Sequence, residues 1–209
     1  MVAHRKESQG TTSLAEFIAL PDDGNLHEFV RGEIRVSPPP HSLHGWIESR
    51  ITIQIGRYLD DRAQALGWSL EQGPTAQARL VGLLGNGEFG IRFTLPDDPN
   101  QVRGGDLVFI PAEQYLHVGW NHEGYFPEVP RLVVEVISPS ETATDVDEKR
   151  QDYLTGGARR VWSIYPLRHT VHIHDATAPT RVLHIDDTLT DDDLLPGFAL
   201  PLKAIFPTP

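Results

Sequence analysis

Apolar positions along the chain change period several times, and each change predicts an element. The longest regular run extends from about Ser42 to Ala65. Trp46, Ile47, Ile51, Ile55, Tyr58 and Leu59 recur there at helical spacing, and Gly67 closes the run. A short helix is predicted upstream, opened by Ser13 with Glu16 three residues on as a capping box and ending near Leu20. Between the two helices, His27–Val30 and Glu33–Val36 flank Arg31-Gly32, which predicts a tight hairpin ended by Ser37-Pro38-Pro39-Pro40. Residues 68–71 and 76–81 suggest two short strands. Residues 82–100, rich in Gly, Asp and Pro, suggest a hairpin or long loop. A strand follows from Gly104 to Pro111, with Asp106 at its mouth, and then an irregular excursion from Ala112 to Glu128.

The segment PRLVVEVISPS, residues 130–140, has a different pattern. Its apolar run is nearly continuous and bracketed by proline, as in a strand covered on both faces. Glu135 interrupts it and shares a face with Val133 and Ile137. A carboxylate there needs a partner, a proton or a cation, because burying an unpaired charge is expensive. A helix over Asp145–Thr155, stopped by Gly156-Gly157, and a strand over Arg160–Tyr165, stopped by Pro166, complete a strand–helix–strand unit. Such a unit is expected to be right-handed with parallel strands. Thr170–His174 and Arg181–Ile185 predict a terminal hairpin.

Composition narrows the reading. The 209 residues suit one domain, expected over residues 13–209 behind a frayed stretch of residues 1–12. Hydrophobic residues make up 39% and charged residues 22%, an ordinary globular balance. Cysteine is absent, which excludes disulfides and thiolate metal sites and fits a cytoplasmic location. The net charge of −11 argues against a broad electrostatic grip on nucleic acid.

Three charged residues stand close in the order of elements: Asp106 on one strand, Glu135 on the next and Lys149 on the following helix. Two carboxylates on neighbouring strands can hold a hard divalent cation such as magnesium. A nearby lysine can orient water or neutralise charge on a phosphate. Spacing alone favours a structural explanation, in which Glu135 pairs with Arg131, Arg159 or Arg160 and Lys149 lies on a solvated helix face. His44 and Glu48 share a helix face, and His44 is read first as a packing or capping residue. His172 and His174 point the same way on a strand without zinc-type partners and are read as surface residues. Glu33 is read as a solvated hairpin residue and Trp162 as core.

The segment LVVEVISPS…DEKRQDYLTGGARRVWSIYP, with Lys149 and Tyr153 in a K-x-x-x-Y arrangement, resembles the Uma-type putative restriction endonuclease family of the PD-(D/E)XK nuclease superfamily. HEFVRGEIRVSPPPHSLHG is similar to that family's opening hairpin and proline-rich link, so the resemblance spans roughly His27 to Pro166. It implies a restriction-endonuclease-like α/β core, a mixed β-sheet flanked by helices with an N-terminal hairpin. It also implies metal ligation by Asp106 and Glu135, a further oxygen from the Val136 carbonyl, and Lys149 as the catalytic lysine. The superfamily's more usual lysine position, two residues after the glutamate, is Ile137 here. Gly105, Arg160 and Tyr165 likewise depart from the family pattern.

The expected function is a Mg2+-dependent (or Mn2+-dependent) endonuclease acting on DNA. The alternatives are a catalytically inactive nuclease-fold module for binding or assembly, and a hydrolase of small phosphates or nucleotides. Because the chain is acidic, DNA is expected to meet a confined basic groove supplied by Lys149, Arg150, Arg103 and Arg159 and doubled in a homodimer.

Overall fold

The computed structural model describes residues 12–207 apart from Asp22 and Pro38. The stretch expected to be frayed lies outside the described residues except for Thr12, whose N–H donates to the Gly32 carbonyl. Helix α1, Leu14–Ile18, carries the expected Ser13–Glu16 capping box. Strands β1, Leu26–Val30, and β2, Glu33–Ser37, form the predicted hairpin. Its turn places Arg31 (φ 52°) and Gly32 (φ 77°) in the left-handed region that the twist of a two-residue hairpin favours. Helix α2 spans Ser42–Ala65, as its periodicity predicts. Ile47, Ile51, Ile55, Leu59 and Ala63 form its buried face, whereas Trp46, read as part of that face, is 55% exposed.

Residues 68–81 are helical, against the expectation of two strands. A 3-10 turn over Leu70–Gln72 leads into α3, Gly73–Val81. Capping chemistry outweighs the apolar alternation here: Ser69 and Gln72 form a reciprocal box, and a proline sits in the first turn of α3. The stretch at 82–100, read as a hairpin or long loop, is a hairpin. β3, Leu83–Leu95, and β4, Asp98–Ile110, make a long antiparallel hairpin. Asp106 therefore lies inside β4 rather than at a strand mouth. A short helix α4, Ala112–Val118, occupies part of the predicted irregular excursion.

The predicted crossover follows as β5, Leu132–Val136, α5, Ala143–Gly156, and β6, Arg160–Tyr165, with β5 and β6 parallel. β7, Thr170–Asp175, and β8, Arg181–Leu183, form the expected hairpin, and β9, Thr188–Asp191, and β10, Leu195–Pro201, add a second one. The main sheet runs β2-β1-β4-β5-β6-β7-β8, with β3 also paired to β4. It is mixed, since β5–β6 is parallel among otherwise antiparallel partners.

Alternation along the strands sorts the core into two layers. Leu107, Phe109, Leu132, Val134 and Trp162 pack with the α2 face and with Phe198 and Leu202 from the C-terminal segment. Val108, Val133 and Val161 pack on the other side against Tyr153 of α5. Glu135 shares the parity of Val133, so it faces the side that α5 covers. His174, read as a surface residue, is 5% exposed, with Nδ1 3.1 Å from Thr180 Oγ1. Among the described residues, no helix is long and apolar enough to cross a membrane.

Candidate active site

Sheet register brings the first two candidates together. Leu107 pairs with Val134 and Val108 with Val133 across β4 and β5, and one further step sets Asp106 opposite Glu135. Directly opposed residues on antiparallel strands share a face, with Cβ atoms about 5 Å apart. Asp106 Oδ2 accepts the Val136 N–H at 2.6 Å, so the aspartate reaches across onto the glutamate's strand.

Lys149 arrives from α5. Tyr153, one helical turn on, is fully buried, and its hydroxyl donates to the Gly104 carbonyl at 2.9 Å. That bond holds the helix over the sheet and turns the face it shares with Lys149 inward. Lys149 Nζ then lies 2.9 Å from Glu135 Oε2 and 3.6 Å from Glu28 Oε1. The arginines considered as partners of Glu135 are engaged elsewhere. Arg131 donates to the Gly157 carbonyl, Arg159 to Asp193 and Thr177, and Arg160 pairs with Asp175, Asp191 and Asp193.

Helix α2 supplies two further contacts from the face that His44 and Glu48 share. His44 Nε2 is 3.2 Å from Asp106 Oδ1, and Glu48 accepts the Gly87 N–H at 2.8 Å. Asp106, Glu135, Lys149 and His44 line one cavity of about 110 Å3, together with Glu88 and Ser138. Glu33, by contrast, is exposed on the hairpin, away from this cavity.

Charges in the cavity are strongly coupled. Burial lifts the Glu135 carboxyl well above its usual range; Lys149 opposes the rise and Asp106 adds to it. Burial alone would favour a neutral Lys149 amine, but the carboxylates of Glu135, Glu28 and Glu88 reverse this and keep it cationic. Asp106 is likewise buried, yet the His44 ring and the Lys149 charge hold its carboxyl below the ordinary value. Burial pushes Glu88 up to about 8. The buried oxygens Glu135 Oε1 and Glu88 Oε2 have no hydrogen-bond partner.

Two of these residues carried little sequence signal. Glu88 lies in the Gly-rich stretch read as a loop or hairpin. Glu28 reads as an ordinary hairpin residue, yet it is 8% exposed, accepts the Gly104 N–H at 3.1 Å and binds Arg103 at 3.1 Å. Arg103 is 2% exposed and also bonds Asp152 of α5, so its charge is spent inside the fold. Of the four cations expected in one basic groove, Lys149 lines the cavity and Arg150 an adjoining groove, while Arg103 and Arg159 line neither.

The family described as "Putative restriction endonuclease", Uma2, matches the chain over residues 14–203. The chain belongs to the Uma2 family. The match extends beyond both ends of the segment that carried the resemblance. A solved structure described as a putative nuclease belonging to DUF820, from Anabaena variabilis ATCC 29413, superposes with a TM-score of 0.69 at 20% sequence identity. It covers 93% of this chain and 97% of that one, and the likeness is one of fold. No curated protein matches the chain. Family and fold together indicate a restriction-endonuclease-like nuclease.

Proposed function

We propose that this Uma2-family protein is a metal-dependent endonuclease that hydrolyses DNA phosphodiester bonds. The observation that carries the reading is the convergence of a buried lysine and two opposed carboxylates in one cavity, with Lys149 Nζ 2.9 Å from Glu135.

The donor set suits a hard cation. Asp106 and Glu135 offer carboxylate oxygens, one of them buried without a donor, and Val136 lines the same cavity. Among the described residues no group of three or more His, Asp or Glu side chains is placed to hold a metal ion. A cation held by Asp106 and Glu135 would complete its shell with waters and substrate phosphate, as Mg2+ does. The chemistry such a cation supplies is polarisation of a phosphate oxygen and acidification of a bound water.

The remaining roles fall to the chain itself. Lys149 stays protonated among its carboxylates, so it serves as a fixed positive charge for the scissile phosphate or the attacking water rather than as a base. Glu28 and Tyr153 hold that lysine and its helix in place. His44 stands at ion-pair distance from Asp106 and, when protonated, supports its negative charge. A groove of about 450 Å3 shares Ser138 and Glu141 with the cavity and is lined by Arg150, Tyr165 and Arg168. Asp147 of the same groove pairs with Arg150, so Arg168, which is exposed, is the cation offered to a flanking phosphate beside the site.

Incubation of supercoiled plasmid with Mg2+ or Mn2+ tests the proposal. The wild type should nick or linearise DNA only with metal. Asp106→Asn, Glu135→Gln and Lys149→Ala should each lose about a hundredfold or more. Metal binding without cleavage of any substrate would point to the inactive binding module. Turnover of nucleotides in preference to DNA would point to the small-phosphate hydrolase.

A further inference from the structure

We propose that the groove beside the cavity is a stacking subsite for an unpaired nucleotide, with Tyr165 and His172 as its platform and Arg168 holding the adjoining phosphate. The inference rests on the nuclease reading above and deepens it: the substrate class becomes single-stranded or locally opened DNA.

The sheet sets cavity and platform along one row. Asp106 stands one step beyond the Leu107–Val134 pair, opposite Glu135. Glu135 pairs with Ser163 across β5 and β6, and Ser163 pairs with His172 across β6 and β7. Paired residues share a face, so His172 follows the two carboxylates on the side that α5 covers. Two strand spacings put it about 10 Å from Glu135, within reach of a nucleotide whose neighbour's phosphate lies at the cavity. Tyr165, two residues beyond Ser163, shares that face. Its ring centroid lies 4.5 Å from that of His172. Both side chains are half-buried and both line the groove. Burial and the nearby Arg168 lower His172 below its ordinary 6.5, so at pH 7 the ring offers a neutral aromatic face.

The rest of the groove suits a base better than a chain of phosphates. Ile137, Val146 and Leu167 line it, and Leu167 is 71% exposed. Its other charges are engaged: Asp147 pairs with Arg150, and Glu141 accepts the Ser138 N–H at 2.6 Å. Arg168 is exposed at the same groove. One cation beside aromatic and apolar walls binds a base by its face and the attached phosphate by charge. The groove holds about 450 Å3, a size that admits small organic groups, against about 110 Å3 for the cavity. Ser138 and Glu141 belong to both, so a strand can pass from one to the other. A base within a duplex has its faces covered by its neighbours, so only an unstacked base reaches the platform.

Fluorescence anisotropy of the full chain with labelled strands tests this apart from cleavage, with Ca2+ in place of Mg2+ and strand integrity checked on a gel. A short thymidine oligonucleotide and an abasic strand of equal length carry the same phosphates and differ only in their bases. The wild type should bind the thymidine strand at least about fivefold more tightly than the abasic one, as stacking of a base on a ring gives. It should also prefer the thymidine strand to the matching duplex. Tyr165→Leu and His172→Leu keep an apolar side chain and remove the ring. Each should lose the preference for bases while binding the abasic strand like the wild type, and variants that keep that preference overturn the platform. Equal binding of the two strands by the wild type, or a preference for duplex, overturns the subsite and leaves the nuclease reading standing if plasmid is still cut. If the wild type binds neither strand nor duplex and cuts no plasmid, the nuclease reading fails and this inference fails with it.

Discussion

Lys149 and Glu135 behave as one titrating unit. Burial works against charge on both, but the cation sits among several carboxylates, so the proton belongs to the lysine and the charge to the pair. Lys149→Met removes the counter-charge and leaves Glu135 to take up a proton. The folded carboxyl of that variant then sits far above its ordinary 4.5. Such a group contributes stability below that value and loses it as pH rises. The variant should therefore be close to wild type near pH 4.5, and at pH 8 less stable by about 3 kcal/mol, the typical cost of breaking a buried pair. Urea unfolding at the two pH values measures the difference. His174 gives the opposite slope. Burial lowers its pKa from 6.5 to about 4, so it is neutral in the fold and protonates first in the unfolded chain. Its contribution is complete above pH 6.5 and is lost as pH falls toward 4, by at most about 3 kcal/mol. His174→Gln should flatten the acid limb of the stability profile across that window.

At the scale of elements, the site depends on how closely α5 lies on the sheet. Gly156 ends the helix where a Cβ would come within 2.7 Å of Val129 Cγ2 and 2.8 Å of Phe93 Cδ2. Gly156→Ala should push the helix end outward at a cost of about 1–3 kcal/mol, typical of overpacking. Lys149 rides on the same helix, so cleavage should fall further than stability alone explains. Thermal melts beside plasmid assays below the melting transition separate the two effects. The N-terminal hairpin is tied to the same helix by ion pairs: Arg35 to Glu148 at 3.0 Å, and Arg31 to Glu148 at 2.8 Å and to Asp152 at 3.0 Å. That hairpin also holds Glu28 against Lys149. The hairpin, β4 and α5 thus place the amine jointly.

For the whole molecule, a net charge of −11 sets the terms of any encounter with DNA. Binding should rest on a few local cations and be weak and salt-sensitive. Arg168 is exposed at the groove beside the cavity. Arg168→Ala should raise KM for DNA and reduce the salt dependence by about one ion per site while leaving metal-induced stabilisation unchanged. Salt-titrated cleavage beside thermal melts in Mn2+ checks both parts. A cation bound at a hundred times its Kd adds about 2.7 kcal/mol to the folded state. That corresponds to a rise in Tm of roughly 5–10 °C for a chain of this size. Glu135→Gln should abolish the rise.

Local chemistry was enough to write much of this protein. The 24 residues of α2 follow from their apolar period, α1 from its capping box, and the β5–α5–β6 unit from a continuous apolar run, two glycines and a proline. Asp106, Glu135 and Lys149 could be singled out because a carboxylate inside an apolar strand, with a family-like lysine following, is visible without coordinates. Glu88, Glu28 and the work of His44 could not. Each depends on a partner far along the chain: a bulge defined only by pairing with β4, an amide at Gly104, a carboxylate 62 positions downstream. The choice between hairpin and long loop at 82–100 stayed open for the same reason. The glycines of that stretch look like loop until neighbouring strands supply the hydrogen bonds and packing that make strand the stable state. Periodicity and capping act within a few residues, whereas a site is a set of distances between residues that folding alone brings together.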